Sequence, residues 1–136
     1  MSTRRGVATV TLNRAEKHNA LDPPAMFDAL LDVTGELAAD RRVRAVVVHG
    51  GAGKSFCSGL DISSLGGEGG LGGSLLERDD ADRGNHAQRV SLDWRRVPAP
   101  VIAVLHGNCF GGGLQVALGA DIRYATSDAR LSVMGG

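Results

Sequence analysis

The sequence predicts an α/β fold, and three observations carry that prediction. Val43 to His49 and Val101 to Leu105 are nearly continuous runs of aliphatic, mostly β-branched residues. Strands that read this way sit inside sheets with helices on both faces. From Met26 on, Phe27, Leu30, Leu31, Val33 and Leu37 form a helical apolar stripe ahead of the first run. Helices alternating with apolar strands make a layered α/β arrangement. At 136 residues the chain fits one domain, long enough to bury a core without disulfides or metals.

The elements follow in order. Val7-Ala8-Thr9-Val10-Thr11-Leu12 alternates and predicts a first strand, closed by Asn13-Arg14. Asp22 before Pro23 supplies a cap and a first-turn proline for the helix that ends near Asp40. Gly50 to Gly53 is a loop after the second strand. Ser64 to Ser74 holds six glycines in eleven positions, which excludes a stable helix or strand and predicts a mobile surface loop. Asp79 to Arg96 is polar and compatible with helix, with Val90, Leu92 and Trp94 as its buried positions, until Pro98 and Pro100 break it. Gly111-Gly112-Gly113 leads into a short helix at Leu114 to Leu118. Ile122 to Ala125 and Ala129 to Val133 predict two more strands. No internal repeat is visible. Gly135-Gly136 ends the sequence directly after a strand-like segment, and a bare edge strand is a liability. The expectation is therefore a truncated domain.

Charge and cysteine usage exclude several function classes. Lys+Arg is 15 and Asp+Glu is 15, so the chain lacks the basic footprint of a nucleic-acid or anionic-membrane binder. Cys57 and Cys109 are the only cysteines, too few for a disulfide framework or a zinc cluster, which favours a reducing compartment. No apolar signal-peptide core follows Met1 to Gly6, and the longest apolar run, Pro100 to Leu105, is far too short to span a bilayer. A cytoplasmic location is expected.

Gly51-Ala52-Gly53-Lys54-Ser55 suggests a phosphate-binding loop, but that motif needs a further glycine where Val48 stands. A nucleotide-binding α/β module is kept only on Gly53-Lys54-Ser55. Two other turns are more informative. Phe56-Cys57-Ser58-Gly59-Leu60-Asp61 follows the first buried strand, and Asn108-Cys109-Phe110-Gly111-Gly112-Gly113-Leu114-Gln115 follows the second. The latter opens a helix, whose first N–H groups have no partner within the helix and suit a developing negative charge. Two such turns converging would make an oxyanion hole. The plainer reading is glycines that serve turns and close packing.

Leu12-Asn13-Arg14 with Asn19-Ala20-Leu21, Ala45 to His49 with Lys54 to Ile62, Pro98 to Ala103 with His106-Gly107, the Gly111 to Gly113 triplet, and Ala120 to Arg123 occur in one order. On these stretches the chain resembles the N-terminal part of the crotonase superfamily, the enoyl-CoA hydratase/isomerase family. The resemblance implies a crotonase (ClpP-like) spiral of ββα units, cut short of the C-terminal helices, with residues 1–136 as the N-terminal portion of one domain. It implies an acyl-CoA thioester ligand whose carbonyl oxygen meets the backbone N–H groups of Leu60 and Gly112. Ser58, Gly59 and Leu60 would line the adenine end of coenzyme A. Lys54 would meet its phosphates. Gly111 would sit at the thioester turn, and Asp61 would shape the turn beside it. Coenzyme A would be part of the substrate, with no separate cofactor and no metal. Full-length relatives form trimers or hexamers through C-terminal helices.

The departures matter too. Hydratases of this family carry glutamate where this chain has Gln115, and a second glutamate where the resemblance places Gly135. An amide accepts no proton at neutral pH, though Gln115 can orient a water or the acyl chain in the catalytic site. The other ionisable residues offer no replacement. Asp121 and Asp128 lie at strand ends, and Glu77, Asp79, Asp80 and Asp82 form a solvated charge run. His18, His49, His86 and His106 have no metal-ligand spacing, and both cysteines read as small buried thiols. The leading reading is an acyl-CoA enzyme, hydratase or isomerase. The alternative is a non-catalytic or inactive relative that binds acyl-CoA at most.

Overall fold

The computed structural model describes residues 1–22, 25–61 and 86–133. Pro23 and Pro24, the glycine-rich stretch Ser64 to Ser74, the charge run Glu77 to Asp82, and Gly135 lie outside the described residues. The elements are β1 (Ser2–Arg4), β2 (Val7–Thr11), α1 (Ala25–Ala39), β3 (Ala45–His49), α2 (His86–Leu92), β4 (Val101–Leu105), β5 (Asn108–Phe110), α3 (Gly112–Leu118), β6 (Ile122–Ala125) and β7 (Arg130–Ser132). Single 3-10 turns occupy Ala15–Lys17 and Asp93–Arg96.

Five strands form one sheet in the order β1-β2-β3-β4-β6, and β5 pairs with β7 in a second, two-stranded sheet. Among the described strands only β1 runs antiparallel, through a tight return at Arg5 and Gly6, both at positive φ. In the parallel part Val10 faces Val48, Val48 faces Ala103 and Ala103 faces Arg123. This register lines up Ala8, Val10, Val46, Val48, Val101, Ala103 and Leu105 on one face, all buried. Phe27, Leu30 and Leu37 of α1 join them in one core with Val90, Trp94, Leu114 and Val116.

The expected α/β class and the parallel strands are present, with differences in detail. The central strands are not buried on both faces. Val47 and Ile102 are half-buried and Val104 is exposed, because the core helices pack on the Val46–Val48 side. All four residues of β6 are exposed. Leu92 is a correction: it is 41% exposed at the end of α2. The buried positions of that segment are Val90, Asp93 and Trp94, since the helix tightens to a 3-10 turn after Leu92 and shifts the inward face by one residue. Asp93 is buried because Arg89 and Arg96, one turn either side, approach its carboxylate at 3.1 and 3.8 Å. Strands β1 and β5 carry no sequence signal, being three residues each and lacking an apolar alternation.

Candidate active site

The two glycine-bearing turns come together. Cys57 and Cys109 form a parallel bridge, Cys57 N–H donates to Asn108 O at 3.1 Å, and Phe110 N–H donates to Cys57 O at 3.0 Å. Further along, a Cβ placed on Gly59 would lie 3.0 Å from Phe110 O and 3.8 Å from Gly112 N. Gly59 itself has φ +99, a conformation that costs a residue with a side chain. The peptide group entering Leu60 thus lies against the start of α3.

Backbone geometry fixes where the two amides aim. In a trans peptide the C=O of one residue and the N–H of the next point in opposite directions. Gly59 O accepts from Leu21 N–H at 2.7 Å, so the Leu60 N–H points away from Leu21. Gly111 O accepts from Gln115 N–H at 3.1 Å along the helix, so the Gly112 N–H points out of the helix N-terminus. As the first helical residue, Gly112 has no intrahelical acceptor. Among the described residues no backbone acceptor is assigned to the Leu60 N–H either.

Gly113 sets the closeness of this junction. A Cβ there would fall 2.6 Å from Cys57 O and 2.8 Å from Cys57 Sγ. Gly113→Ala is expected to cost about 1–3 kcal/mol by overpacking. Gly35→Ala serves as the control, because a Cβ at Gly35 meets nothing within 4 Å. Gly35 lies inside α1, where alanine is favoured by about 0.5–1 kcal/mol. Urea unfolding of the two variants should move the midpoint in opposite directions.

Asn19 organises the first turn from the other side, a role that its place in the Asn19-Ala20-Leu21 motif does not announce. Its side chain is fully buried, and Nδ2 donates among the carbonyls of Gly50, Ser55 and Phe56 at 2.9, 3.1 and 3.1 Å. Its Oδ1 accepts from Arg14 N–H at 2.7 Å, and its own carbonyl accepts from the Cys57 thiol at 3.1 Å. His18 and Asn19 both have φ near +54, a left-handed pair that turns the chain back on itself. His18 Nδ1 lies 3.1 Å from Ser55 Oγ.

The remaining expected site residues are placed as follows. Lys54 is exposed on the loop after β3. Ser58 is half-buried, and its N–H donates to His18 O at 3.0 Å. Asp61 directs its carboxylate to Arg14, with 2.8 Å between Oδ2 and Nη1. Gly111 has φ +52 and donates its N–H to Ser132 O of β7 at 2.8 Å, tying the glycine triplet to the second sheet. Gln115 is exposed on α3 and lines an open pocket of about 390 Å³ with Gln88, Ser91, Leu92 and Leu118. Among the described residues no carboxylate lines that pocket.

His49 and His106 are structural. Gly51 N–H donates to Nδ1 of His49 at 2.9 Å, which leaves the proton on Nε2, 3.1 Å from Thr11 Oγ1. His106 Nε2 lies 2.6 Å from Gly53 O and must carry the proton there. Asp121 holds the start of β4, accepting from Val101 N–H at 2.8 Å. Among the described residues no group of His, Cys, Asp and Glu is arranged to hold a metal, and no helix is long and apolar enough to cross a membrane.

Both cysteines are free and buried. Burial pushes the Cys57 thiol up to about 11 and, with Cys57 beside it, Cys109 up to about 12. Since thiolate is the reactive form, both should resist a disulfide reagent at pH 8 in the folded chain and react at once in urea. A thiol whose folded pKa is raised supports folding below its unfolded value of about 9. That support fades as pH climbs through about 11 to 12. Stability should therefore fall above pH 9, and a double Cys→Ser or Cys→Ala variant should lose that part of the pH dependence.

A sequence model of the enoyl-CoA hydratase/isomerase family matches residues 2–135. The chain belongs to that family. It is 36% identical to the mitochondrial Delta(3,5)-Delta(2,4)-dienoyl-CoA isomerase of Mus musculus, a match covering 94% of this chain and 40% of the mouse protein. It is 33% identical to the (E)-benzylidenesuccinyl-CoA hydratase of Thauera aromatica, over 93% of this chain and 46% of the relative. Among solved structures, an enoyl-CoA hydratase of Mycobacterium smegmatis superposes with a TM-score of 0.79 at 38% identity, covering 98% of this chain and 49% of the other. A monofunctional enoyl-CoA isomerase of M. smegmatis superposes with a TM-score of 0.71 at 34% identity, covering 96% and 50%. The fold is thus the crotonase fold, and this enoyl-CoA hydratase/isomerase family chain spans half or less of the length of these relatives. Hydratases and isomerases both stand among them.

Proposed function

We propose that this chain forms the thioester-binding half of an acyl-CoA site, with the N–H groups of Leu60 and Gly112 receiving the thioester oxygen. The observation that supports this reading is the abutment of the Gly59–Leu60 and Gly111–Gly112 peptides, each with its carbonyl engaged and its N–H given no backbone acceptor among the described residues. Two fixed donors aimed at one point stabilise charge as it develops on an oxygen without reorganising at that moment. In this reading the carbonyl becomes enolate-like while a proton moves at the neighbouring carbon.

Around that point, Ser58 and Gly59 follow the adenine end of coenzyme A, and Lys54 on the exposed loop meets its phosphates. Gly111 gives the acyl group room to approach the backbone. Asp61 contributes by shaping the turn through Arg14. Coenzyme A enters as part of the substrate, and no separate cofactor is needed.

One observation favours the alternative, an acyl-CoA binder without turnover. The open pocket between α2 and α3 presents Gln115, where the family resemblance places a proton-transferring group, and an amide cannot fill that role.

Titration of the purified chain with crotonyl-CoA, free coenzyme A and ATP tests the proposal. Saturable binding of crotonyl-CoA, stronger than that of free coenzyme A, is expected, together with no binding of ATP alone. ATP binding without coenzyme A binding would instead support a nucleotide module built on Gly53-Lys54-Ser55.

A further inference from the structure

The loop from Arg14 to Leu21 does more than connect β2 to α1. It closes on itself, with Lys17 N–H and Asn19 N–H both donating to Arg14 O, at 3.0 and 2.9 Å. Its far end, Leu21, forms an isolated parallel bridge with Leu60. Leu21 N–H donates to Gly59 O at 2.7 Å, and Asp61 N–H donates to Leu21 O at 2.9 Å. The peptide groups on both sides of Leu60 are therefore held by one residue, and the direction of the Leu60 N–H follows from the first of these bonds.

A single isolated bridge is a weak anchor by itself. What reinforces it is the Arg14 guanidinium. One nitrogen, Nη1, donates to Ala20 O at 3.0 Å and meets Asp61 Oδ2 at 2.8 Å. Ala20 precedes Leu21, and Asp61 follows Leu60. Arg14 thus binds the two segments across the bridge, one through its backbone and the other through a side chain. Both ends of the ion pair are mostly shielded, with 22% and 11% of the side chains exposed, so solvent screens it less than a surface pair.

We propose that Arg14 is a positioning residue for the thioester site: its link from Ala20 to Asp61 keeps the Leu60 N–H aimed at the point the Gly112 N–H also faces. This rests on the reading of Leu60 and Gly112 given above. Arg14 touches no substrate in this account. Its loss leaves the coenzyme A contacts in place and lets the Gly59–Leu60 peptide swing, which weakens polarisation of the thioester carbonyl more than it weakens binding. Misalignment of about 1 Å is already costly in such a site.

The test uses dimethylaminocinnamoyl-CoA, whose absorption moves to the red when hydrogen bonds polarise its thioester carbonyl. Two quantities are read from one titration of the full chain, the dissociation constant and the red shift at saturation. For Arg14→Met, the red shift is expected to fall below about half the wild-type value while the dissociation constant stays within about threefold. Arg14→Lys, which keeps the charge and enough donors for both acceptors, should recover most of the shift. If the methionine variant does not fold, Arg14→Gln is judged by the same two criteria. A full red shift in the uncharged variant would overturn the positioning role and leave the thioester site standing, as would a loss of affinity in step with the shift. A wild-type chain that fails to bind the probe, or binds it with no red shift, would overturn the thioester site and the role of Arg14 together.

Discussion

Replacing Asn19 with alanine is expected to destabilise the chain by at least about 3 kcal/mol. The side chain is fully buried and shares its two amide hydrogens among the carbonyls of Gly50, Ser55 and Phe56. It also accepts the Arg14 N–H. Alanine leaves these groups without a partner in a place where water has little access, and each unsatisfied buried group costs about 1–3 kcal/mol. Asn19→Asp should fare no better, because a carboxylate is of similar size but donates nothing to three carbonyls. Urea unfolding monitored through Trp94, the chain's one tryptophan and a core residue, measures the effect. A loss below about 1 kcal/mol would mean that the loop from Arg14 to Leu21 is held by something other than Asn19.

Gln115→Glu is the second large effect. Position 115 is exposed on α3, one turn into the helix opened by the glycine triplet, and faces a pocket with no carboxylate among the described residues. If binding is intact and proton transfer is what is lacking, a carboxylate here should raise crotonyl-CoA hydration by about 10²–10⁴-fold over the unmodified chain. Dissociation constants for crotonyl-CoA should barely move, since the oxyanion donors are backbone groups that the substitution does not touch. Unchanged turnover with unchanged binding would place the deficit elsewhere, in geometry supplied by the longer part of the family domain. The paired measurement is the rate of hydration and the affinity on the same preparation.

Val46, Val48, Val101, Ala103 and the α1 stripe announced apolar strands under a helical cover, and so the α/β class, because strands and helices of this kind are written in apolar periodicity. Leu60 and Gly112 are expected donors on the family resemblance, and what the structure adds is that the two glycine-bearing turns carrying them lie side by side. Asn19 and Arg14 escaped as organising residues for a physical reason: what they do depends on partners 31 to 47 positions away, at Gly50, Phe56 and Asp61. No local pattern reports such contacts. Asp93 was missed for the opposite reason. Its partners, Arg89 and Arg96, lie at helical spacing and could have flagged it, but a charged residue is read as exposed unless its neutralising neighbours are counted. The open face of β6 was likewise invisible, since apolar Ile122 and Tyr124 look like core until the sheet order puts them at its edge.

The central claim is that the Leu60 and Gly112 amides receive one oxygen. At 14.1 kDa the chain suits amide-resolved nuclear magnetic resonance, and titration with butyryl-CoA followed through ¹H–¹⁵N correlation spectra tests the claim most directly. The account predicts that the amide protons of Leu60 and Gly112 both move downfield, more than those of their neighbours, and follow one saturation curve. Free coenzyme A, which has no thioester carbonyl, should shift Lys54 and Ser58 and leave these two nearly still. Saturable binding of butyryl-CoA that leaves either the Leu60 or the Gly112 amide unmoved would contradict it.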